Sequence, residues 1–540
     1  MAYVLLWLES LAVSLLLVAT LTACLARLRP GPARRGLLVI AAIAPLAVYA
    51  AATVLAAYAR FVLGSVLPWF WPLAALTGCY LAGAAWTCRR GLAPAAQEPP
   101  AATWPRGKLA LALGAAVAVH LITFWNLDLT IRHRLGAMRA EAGAMALSVA
   151  PARVPDRDNA AFLYQQAFER LCPKDRAKGW GWVPDGWKES WAKAVEDGGA
   201  AAFDPNDPDL TAFLRRHEPT LRLLHAAAGK TGCYFEHEYS SLTLFELMPE
   251  VPGMRWTTSL LALSARSRAA RGDVRGALRD IHALFVQAEH AGSTPILISA
   301  LTALRADGAA MAALRAVLAA GRASPDDLAA LRVEESLSYR RLLERSVRME
   351  EAFRLAVFSS MEGGRASDSE AWQLYGLSPA LRPVYRVFLL HNDLAAHSRL
   401  SAEHRRLAAR AYHEARDGWE KVEQDVPIGP MAILTNHLTP ALGGAARMCA
   451  QGDARRGVAR TALAAVRYRA RHGRLPGTPA DLVGELLTVV PADPFDGRAI
   501  RWKPTKDGAV VYSIGPDGKD DGGAPFDAEK RTGDISLTLK

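Results

Sequence analysis

LLALSARSRAARGDVRGALRDIHALF, from Leu260 to Phe285, decides the fold because it places two apolar runs at helical spacing on either side of Gly272-Asp273. Glycine commonly ends a helix in the left-handed conformation, and aspartate caps the first amides of the next helix. The stretch therefore predicts two amphipathic helices joined by a tight turn. A similar string at 450–457 lies about 180 residues away, far beyond the roughly 34–47-residue period of helical arrays, so we expect stacked helix pairs without a regular repeat.

Helical periodicity continues on both sides of this hairpin, and alanine, leucine, arginine and glutamate are abundant there. Pro155 and the acidic turn after it predict a helix over 160–171. Stacked helix pairs bury a shared core and leave grooves that commonly bind proteins. The pattern predicts a large, mainly α domain over 127–472. Its further predicted helices are 296–321, 325–358, 383–424 and 453–472.

The first 126 residues have a different composition, with long apolar stretches and few charges. A helix that crosses a bilayer needs about 20 mostly apolar residues, and its backbone must bond within the segment. The sequence thus predicts a membrane domain over 1–126. Its four predicted transmembrane helices are 3–26, 37–59, 64–88 and 109–126.

Basic side chains around these segments predict the orientation of the chain. The loops 27–36 and 89–108 each carry four Lys or Arg residues, whereas 60–63 carries one. Cytoplasmic loops are the ones enriched in Lys and Arg. We therefore expect a multi-pass protein of the inner (cytoplasmic) membrane with residues 127–540 extracytoplasmic. Three arginines that follow the fourth segment count against this orientation; they are Arg132, Arg134 and Arg139.

The net charge of +11 is concentrated at the membrane segments. Residues 1–126 hold nine Lys or Arg residues against Glu9 and Glu98, so most of the excess belongs to this part of the chain. A nucleic-acid-binding domain needs a basic stripe on its folded surface. The folded part lacks such a stripe in sequence, and we expect no nucleic acid among the partners.

Cysteines and histidines supply few candidate sites. Cys172, Cys233 and Cys449 lie beyond the membrane segments, and no CxxC spacing occurs. In an oxidising compartment Cys172–Cys233 is the candidate disulfide, and three buried thiols are the alternative. Glu236-His237-Glu238 alternates in direction along the chain, which favours a solvated polar turn over a metal or acid–base site. His397 and His404 would share a helix face, but surface histidines are the commoner explanation of such a pair.

A small module of different composition follows at 473–540. Strand-like runs at 500–503, 509–514 and 535–539 are separated by turn residues, and Lys506-Asp507-Gly508 indicates a hairpin between the first two. The sequence therefore predicts a small C-terminal α+β module with a short antiparallel sheet. Together with the preceding domains, the fold class is mainly α.

The residues of this module resemble the C-terminal domain of the major pseudopilin of type II secretion systems. The matching strings, in order, are Tyr468, His472-Gly473-Arg474-Leu475-Pro476, Asp493-Pro494-Phe495-Asp496-Gly497, Tyr512-Ser513-Ile514-Gly515-Pro516-Asp517-Gly518, Gly522-Gly523 and Gly533-Asp534-Ile535. The resemblance implies a calcium-binding loop, with Asp517 and Asp534 as side-chain ligands and the Ser513 carbonyl contributing. The whole chain also resembles multi-pass membrane proteins of planctomycete-like bacteria, which implies no activity.

The chemistry of the loop agrees with this implication. Calcium takes six to eight oxygen ligands on flexible, Asp- and Gly-rich loops. Asp517, Asp520 and Asp521 place three carboxylates within five residues, and they would repel one another without a cation. A solvated Asp-Gly turn without metal is the alternative. Unlike the hydrophobic pseudopilin helix, Arg455–Arg471 is amphipathic and basic, so we expect no filament of the usual kind.

Three functions remain open on these observations. The first is a non-enzymatic, membrane-anchored binding or scaffold protein of the cell envelope, with another envelope protein as partner and a calcium-stabilised module. The second is a hydrolase of an envelope polymer, with a cleft in the helical domain around the Trp-rich loop (Trp180, Trp182, Trp187 and Trp191) and the His/Glu region 217–238. The third is an accessory subunit of secretion or transport. HExxH, GxSxG, Walker A and GxGxxG motifs are all missing from the sequence.

Overall fold

The structure is a computed structural model of the chain. It describes residues 129–172, 183–191, 204, 206–239, 248, 250–321, 323–331, 333, 337–362, 385, 390–424, 432–439, 441–527, 530 and 532–540. The four predicted transmembrane segments lie outside these residues, as do Trp180 and Trp182 of the Trp-rich loop.

The described residues are mainly helical, as predicted, and end in a small antiparallel sheet. The helices are α1 (129–149), α2 (Ala161–Leu171), α3 (Pro208–Arg216), α4 (Glu218–Ala228), α5 (Glu250–Ala270), α6 (Val274–Ala291), α7 (Leu297–Ala320), α8 (Pro325–Ala330), α9 (Tyr339–Ser359), α10 (Leu390–Ala408), α11 (Tyr412–Gln424), α12 (Ile433–Leu438) and α13 (Leu442–His472). The strands are β1 (Arg501–Thr505), β2 (Gly508–Ser513) and β3 (Ile535–Leu539).

The hairpin predicted from Gly272-Asp273 forms helices α5 and α6. Gly272 adopts φ +82°, a conformation that glycine tolerates without strain. The Asp273 carboxylate accepts a hydrogen bond from the Gly276 amide at 3.0 Å and so caps α6. Helix α7 packs against both helices and completes the centre of the core.

Helix α7 is also long and apolar enough to cross a membrane. Its 24 residues include a stretch of mean hydropathy 1.4, of which 67% is buried inside the fold. A helix at the centre of a protein core has the same length and composition, so this observation carries little weight for membrane insertion.

Two predicted long helices are each divided in two. The 325–358 prediction corresponds to α8 and α9, and the 383–424 prediction to α10 and α11. Ser324 and Asp327 form a capping box that starts α8, as the acidic residues after Pro325 indicate. Helix α13 begins at Leu442, earlier than predicted, because its first turns bury apolar side chains in the core.

The C-terminal strands form one sheet in the order β1-β2-β3 with both pairs antiparallel. Val511 faces Trp502 on β1 and Leu537 on β3, which fixes the register of all three strands. Helix α13 packs against β2 and β3, and the buried face of the sheet shares a hydrophobic core with the helices. The module is therefore continuous with the helical core.

The chain divides into two compact units. The first comprises 1–136, 361–394 and 427–436, and the second comprises 137–360, 395–426 and 437–540. We call the helices of the second unit, at 137–360, 395–424 and 437–472, the helical body. We call residues 473–540 the C-terminal module.

Candidate functional site: the carboxylate loop of the C-terminal module

The loop between β2 and β3 returns on itself and is held by Asp534. This residue is fully buried, and its carboxylate accepts hydrogen bonds from the amides of Gly523 at 2.6 Å and Asp521 at 3.4 Å. Gly515 (φ +71°) and Gly533 (φ +100°) make the close approach possible, since a Cβ on Gly515 would lie 2.7 Å from the Gly533 carbonyl oxygen. We call residues 513–534 the carboxylate loop.

The other predicted ligands lie along the same loop. The Asp517 carboxylate accepts hydrogen bonds from the amides of Lys519 at 3.1 Å and Gly533 at 3.3 Å, which ties the first turn to the last. The Asp521 side chain is exposed, whereas Ser513 is buried at the end of β2. The structure thus brings Asp517, Asp521 and Asp534 into one closed loop.

Asp520 has a cationic partner that the sequence did not indicate. Its carboxylate accepts from Arg501 Nε at 3.1 Å, and the same guanidinium donates to Asp496 at 2.6 Å and to Asp493 at 3.0 Å. Arg501 therefore neutralises part of the negative charge of the module. As a result, Asp520 contributes less to any cation site than its position in the sequence suggests.

Asp493 anchors the start of the carboxylate loop and was also missed. Its fully buried carboxylate accepts from the Ser513 hydroxyl and the Ile514 amide, each at 2.9 Å, and from the Phe495 amide at 3.1 Å. Burial raises the pKa of Asp493. The Asp493-Pro494-Phe495 string of the pseudopilin resemblance thus has a structural role beneath the loop.

The donor set of the carboxylate loop suits calcium in its chemistry. Burial raises the pKa of Asp534, and the charges of Asp520 and Asp521 add to this effect. A cation would relieve that repulsion. Among the residues that the structure describes, no three His, Cys, Asp or Glu side chains are grouped closely enough to share a metal ion. If Asp517, Asp521 and Asp534 are the side-chain ligands of a calcium ion, their carboxylates must therefore come closer together than they lie here.

The Glu236-His237-Glu238 string does alternate in direction, as predicted. Glu236 is exposed and pairs with Arg153 at 3.3 Å, and Glu238 is exposed. His237 does not fit the predicted solvated turn, since its side chain is 6% exposed and lies 2.8 Å from the Glu250 carboxylate. The prediction missed Glu250 because the two partners lie 13 residues apart in the chain and no local pattern indicates their contact.

Glu250 lines a small cavity beneath α5, α6 and α7. Thr294, Ser299 and Thr302 add hydroxyls to a wall that is otherwise largely apolar. The cavity leaves about 10 Å³ for the centre of a water-sized molecule, which is the room for one water. His290 also lines it and bonds through Nδ1 to the Tyr164 hydroxyl at 3.0 Å. The cavity is thus suited to one internal water molecule.

Buried charged groups inside the helical body are used to join helices. The Arg456 guanidinium of α13 donates to both Asp307 oxygens of α7, at 3.0 and 3.1 Å, and also to Glu289 of α6. The fully buried Asp280 carboxylate accepts from Ser264 at 2.7 Å and pairs with His225 at 2.7 Å. These oxygens are already bonded, and no motif in the sequence predicted them.

The tryptophans that the structure describes in the Trp-rich region pack onto the helical body. The ring centroid of Trp187 lies 5.3 Å from that of Trp256 on α5, and Trp191 lies 5.1 Å from Phe213 on α3. Trp191 is buried. These two tryptophans therefore pack onto the body.

The candidate disulfide cannot form in this fold. Cys172 follows the last residue of α2, whereas Gly232, next to Cys233, pairs with Asn159 just before the first residue of α2. An 11-residue helix is about 16 Å long, and disulfide-bonded Cα atoms lie within about 7 Å. Cys172, Cys233 and Cys449 are buried thiols.

Comparison with known proteins gave no relative. No protein family, no curated protein and no solved structure matches the chain.

Proposed function

We propose that this protein is a membrane-anchored, non-enzymatic scaffold of the cell envelope, whose extracytoplasmic helical body binds another envelope protein. In this proposal four N-terminal helices hold the chain in the inner membrane, and calcium stabilises the C-terminal module. The single observation that carries the proposal is that α13 packs against both the sheet of the C-terminal module and the helices of the body. This arrangement supports a module that is part of a larger body rather than a filament subunit.

The resemblance implies that α13 corresponds to the long helix of a pseudopilin, and a small antiparallel sheet packs on α13 here. In the resembling family, that helix protrudes and polymerises. Here the N-terminal half is buried, because Leu442, Ala446 and Cys449 lie in a hydrophobic cluster with α7, α9 and α11. A helix surface covered in this way favours a scaffold and disfavours filament assembly.

The use of buried charges supports binding over catalysis. A catalytic site needs titratable groups that converge on a cleft with free hydrogen-bonding capacity. Asp280, Asp307 and Glu289 instead bond to neighbouring helices inside the body. Their role is to fix helices relative to one another, which gives a rigid surface for a partner.

The orientation is tested by cysteine accessibility in spheroplasts. Lys506 is exposed at the tip of the β1–β2 hairpin, and Gln97 lies in the predicted inner loop 89–108. We expect a membrane-impermeant maleimide to label Lys506→Cys in intact spheroplasts and Gln97→Cys only after permeabilisation. The parent chain, whose described cysteines are buried, controls for background labelling. The opposite labelling pattern would show that the assigned sidedness is wrong.

Calcium is tested by melting the full-length protein in detergent with calcium and with chelator. A ligand that binds only the native state must raise its stability. We expect calcium to raise the melting temperature of the parent and of Asp507→Asn, an exposed carboxylate outside the carboxylate loop. Asp517→Asn should reduce this rise. Equal melting with and without calcium in the parent would remove calcium from the proposal.

Partner binding is tested by photocrosslinking in cells. Phe162 on α2 and Leu147 on α1 are large apolar side chains that are 51% and 57% exposed. We expect a photoreactive amino acid at one of these positions to give a discrete adduct with another envelope protein, and the same group at Lys506 to give none. If neither position gives an adduct at native expression, neither residue belongs to the partner surface.

A further inference from the structure

Helices α9 and α10 pack against each other through polar side chains. Arg354 donates from Nη2 to the Ser401 hydroxyl at 3.2 Å, and the ring of Phe358 lies 5.3 Å from that of His397. These pairs run in opposite directions along the two helices, so the packing is antiparallel. We call the buried polar side chains of this contact the polar seam; they are Arg354 of α9 and His397, Ser401 and His404 of α10.

The polar seam is buried but its hydrogen bonds are incomplete. Arg354, His397 and His404 are only 1%, 3% and 2% exposed. In the described part of the chain, Nε and Nη1 of Arg354, Nε2 of His397 and Nδ1 of His404 have no hydrogen-bond partner. A buried polar atom without a partner is costly, and such atoms are rare in native proteins. Several of them in one seam indicate a ligand.

The charge of the seam determines the sign of that ligand. A guanidinium stays protonated and offers only donors, so Arg354 requires an acceptor. Glu351 is bonded to Arg405, and Glu350 accepts the Leu297 amide at 3.3 Å. Glu350 and Glu351 act on the charge of Arg354, but neither accepts a hydrogen bond from Nε or Nη1 of that guanidinium. These two donors therefore still require an acceptor, and an anion would supply one.

We propose that the polar seam binds one small monovalent anion, of the size of chloride or formate, on the free donors of Arg354 with His397 and His404 completing the site. Each imidazole can turn an N–H toward the anion in one of its neutral tautomers. A divalent cation does not suit the seam, because the buried guanidinium of Arg354 disfavours positive charge at both histidines. A dianion would leave a negative charge buried.

The anion is tested on the full-length protein in detergent at pH 7.5 and constant ionic strength. Sodium gluconate, whose anion is much larger than chloride or formate, is replaced stepwise by sodium chloride or by sodium formate. We expect a saturable rise in melting temperature of about 2–4 °C with chloride and with formate. Bound chloride should also broaden the chloride NMR line, and formate should restore it. A melting temperature that is the same in all three salts would mean that water fills the seam, and the proposal would be wrong.

Variants of the seam residues test whether the anion-dependent rise in melting temperature comes from this site. Arg354→Met should abolish the saturable rise, whereas Arg348→Met, on an exposed position of the same helix, should retain it. Because Arg354→Met removes buried contacts, His397→Gln is the second variant and should raise the half-saturating chloride concentration about tenfold. A saturable rise that persists in Arg354→Met places the anion elsewhere. An unchanged half-saturating concentration in His397→Gln contradicts the site even when Arg354→Met does not fold.

Discussion

The helical body and the C-terminal module both bury carboxylates, but they use them in opposite ways. In the body, Asp307 and Glu289 meet Arg456 from another helix, so the charges join elements that are distant in sequence. In the module, Asp534 and Asp517 accept amides of their own loop, so the charges shape a single turn. A carboxylate that accepts only backbone amides keeps its negative charge and some lone pairs for a cation. A carboxylate that is bonded to arginine already has its charge compensated.

The largest effect is expected from Arg456→Met, which breaks the buried ion pair of the body. Asp307 would stay buried without its cation, and a broken buried pair costs about 3–5 kcal/mol. We expect the free energy of unfolding, measured by urea titration, to fall by about that amount. The double variant Arg456→Met with Asp307→Leu should recover much of the loss. A single variant that is as stable as the parent would contradict a structural role for the pair.

Acid should destabilise the body through the polar seam. Burial lowers the pKa of His397 to about 3 and of His404 to about 4, and nearby Arg354 adds to both shifts. Both values are below the unfolded value near 6.5, so between about pH 6.5 and pH 4 the unfolded chain binds more protons and stability falls as pH falls. We expect His397→Gln to reduce the loss between pH 7 and pH 4 by about 2 kcal/mol. An unchanged pH profile in this variant would contradict a buried neutral imidazole.

In the module, Asp493→Asn should cost about 2 kcal/mol because an amide cannot accept all the bonds that the carboxylate accepts. Asp496→Asn is the matched control, since Asp496 bonds the same arginine at 2.6 Å but is partly exposed. We expect thermal melting to show a clearly larger loss for Asp493→Asn. Equal losses would mean that the charge on Arg501, rather than the buried anchor under the loop, is what stabilises the module.

Two glycines of α13 should give effects of opposite sign, and the smaller of the two is the smallest effect expected here. A Cβ on Gly452 would lie 2.4 Å from Leu304 and 2.5 Å from the Tyr339 ring, whereas a Cβ on Gly444 meets nothing within 4 Å. We expect Gly452→Ala to destabilise by about 1–3 kcal/mol and Gly444→Ala to stabilise by about 0.5–1 kcal/mol. Urea titration of both variants checks the opposite signs. The same sign in both would contradict the packing of α13 against α7 and α9.

The sequence predicted the elements better than the contacts. Gly272-Asp273 predicted the α5–α6 turn because helix capping depends on adjacent residues. The three strands were predicted from strand-like runs that are separated by turn residues. The break between α8 and α9 was missed, because no proline or glycine at 331–338 marks it. Local sequence signals do not predict a helix end that is determined by packing between residues distant in sequence.

The same limit applies to the candidate sites. The predicted ligands Asp517, Asp521 and Asp534 do share one loop, but Arg501 was not anticipated as the partner of Asp520. His397 and His404 were expected on the surface and are instead buried, since their helix face packs on α9. A one-dimensional pattern shows which residues share a face, but it does not show what covers that face.

Helix α13 should make the second unit unfold cooperatively. It is a single helix of 31 residues, about 46 Å long, whose N-terminal turns lie in one hydrophobic cluster and whose later turns lie in another. A helix of this kind cannot melt at one end without loosening the other, so heat should release the sheet and the helices together. Limited proteolysis should accordingly yield no long-lived fragment of residues 473–540, and calorimetry should record one peak for this unit.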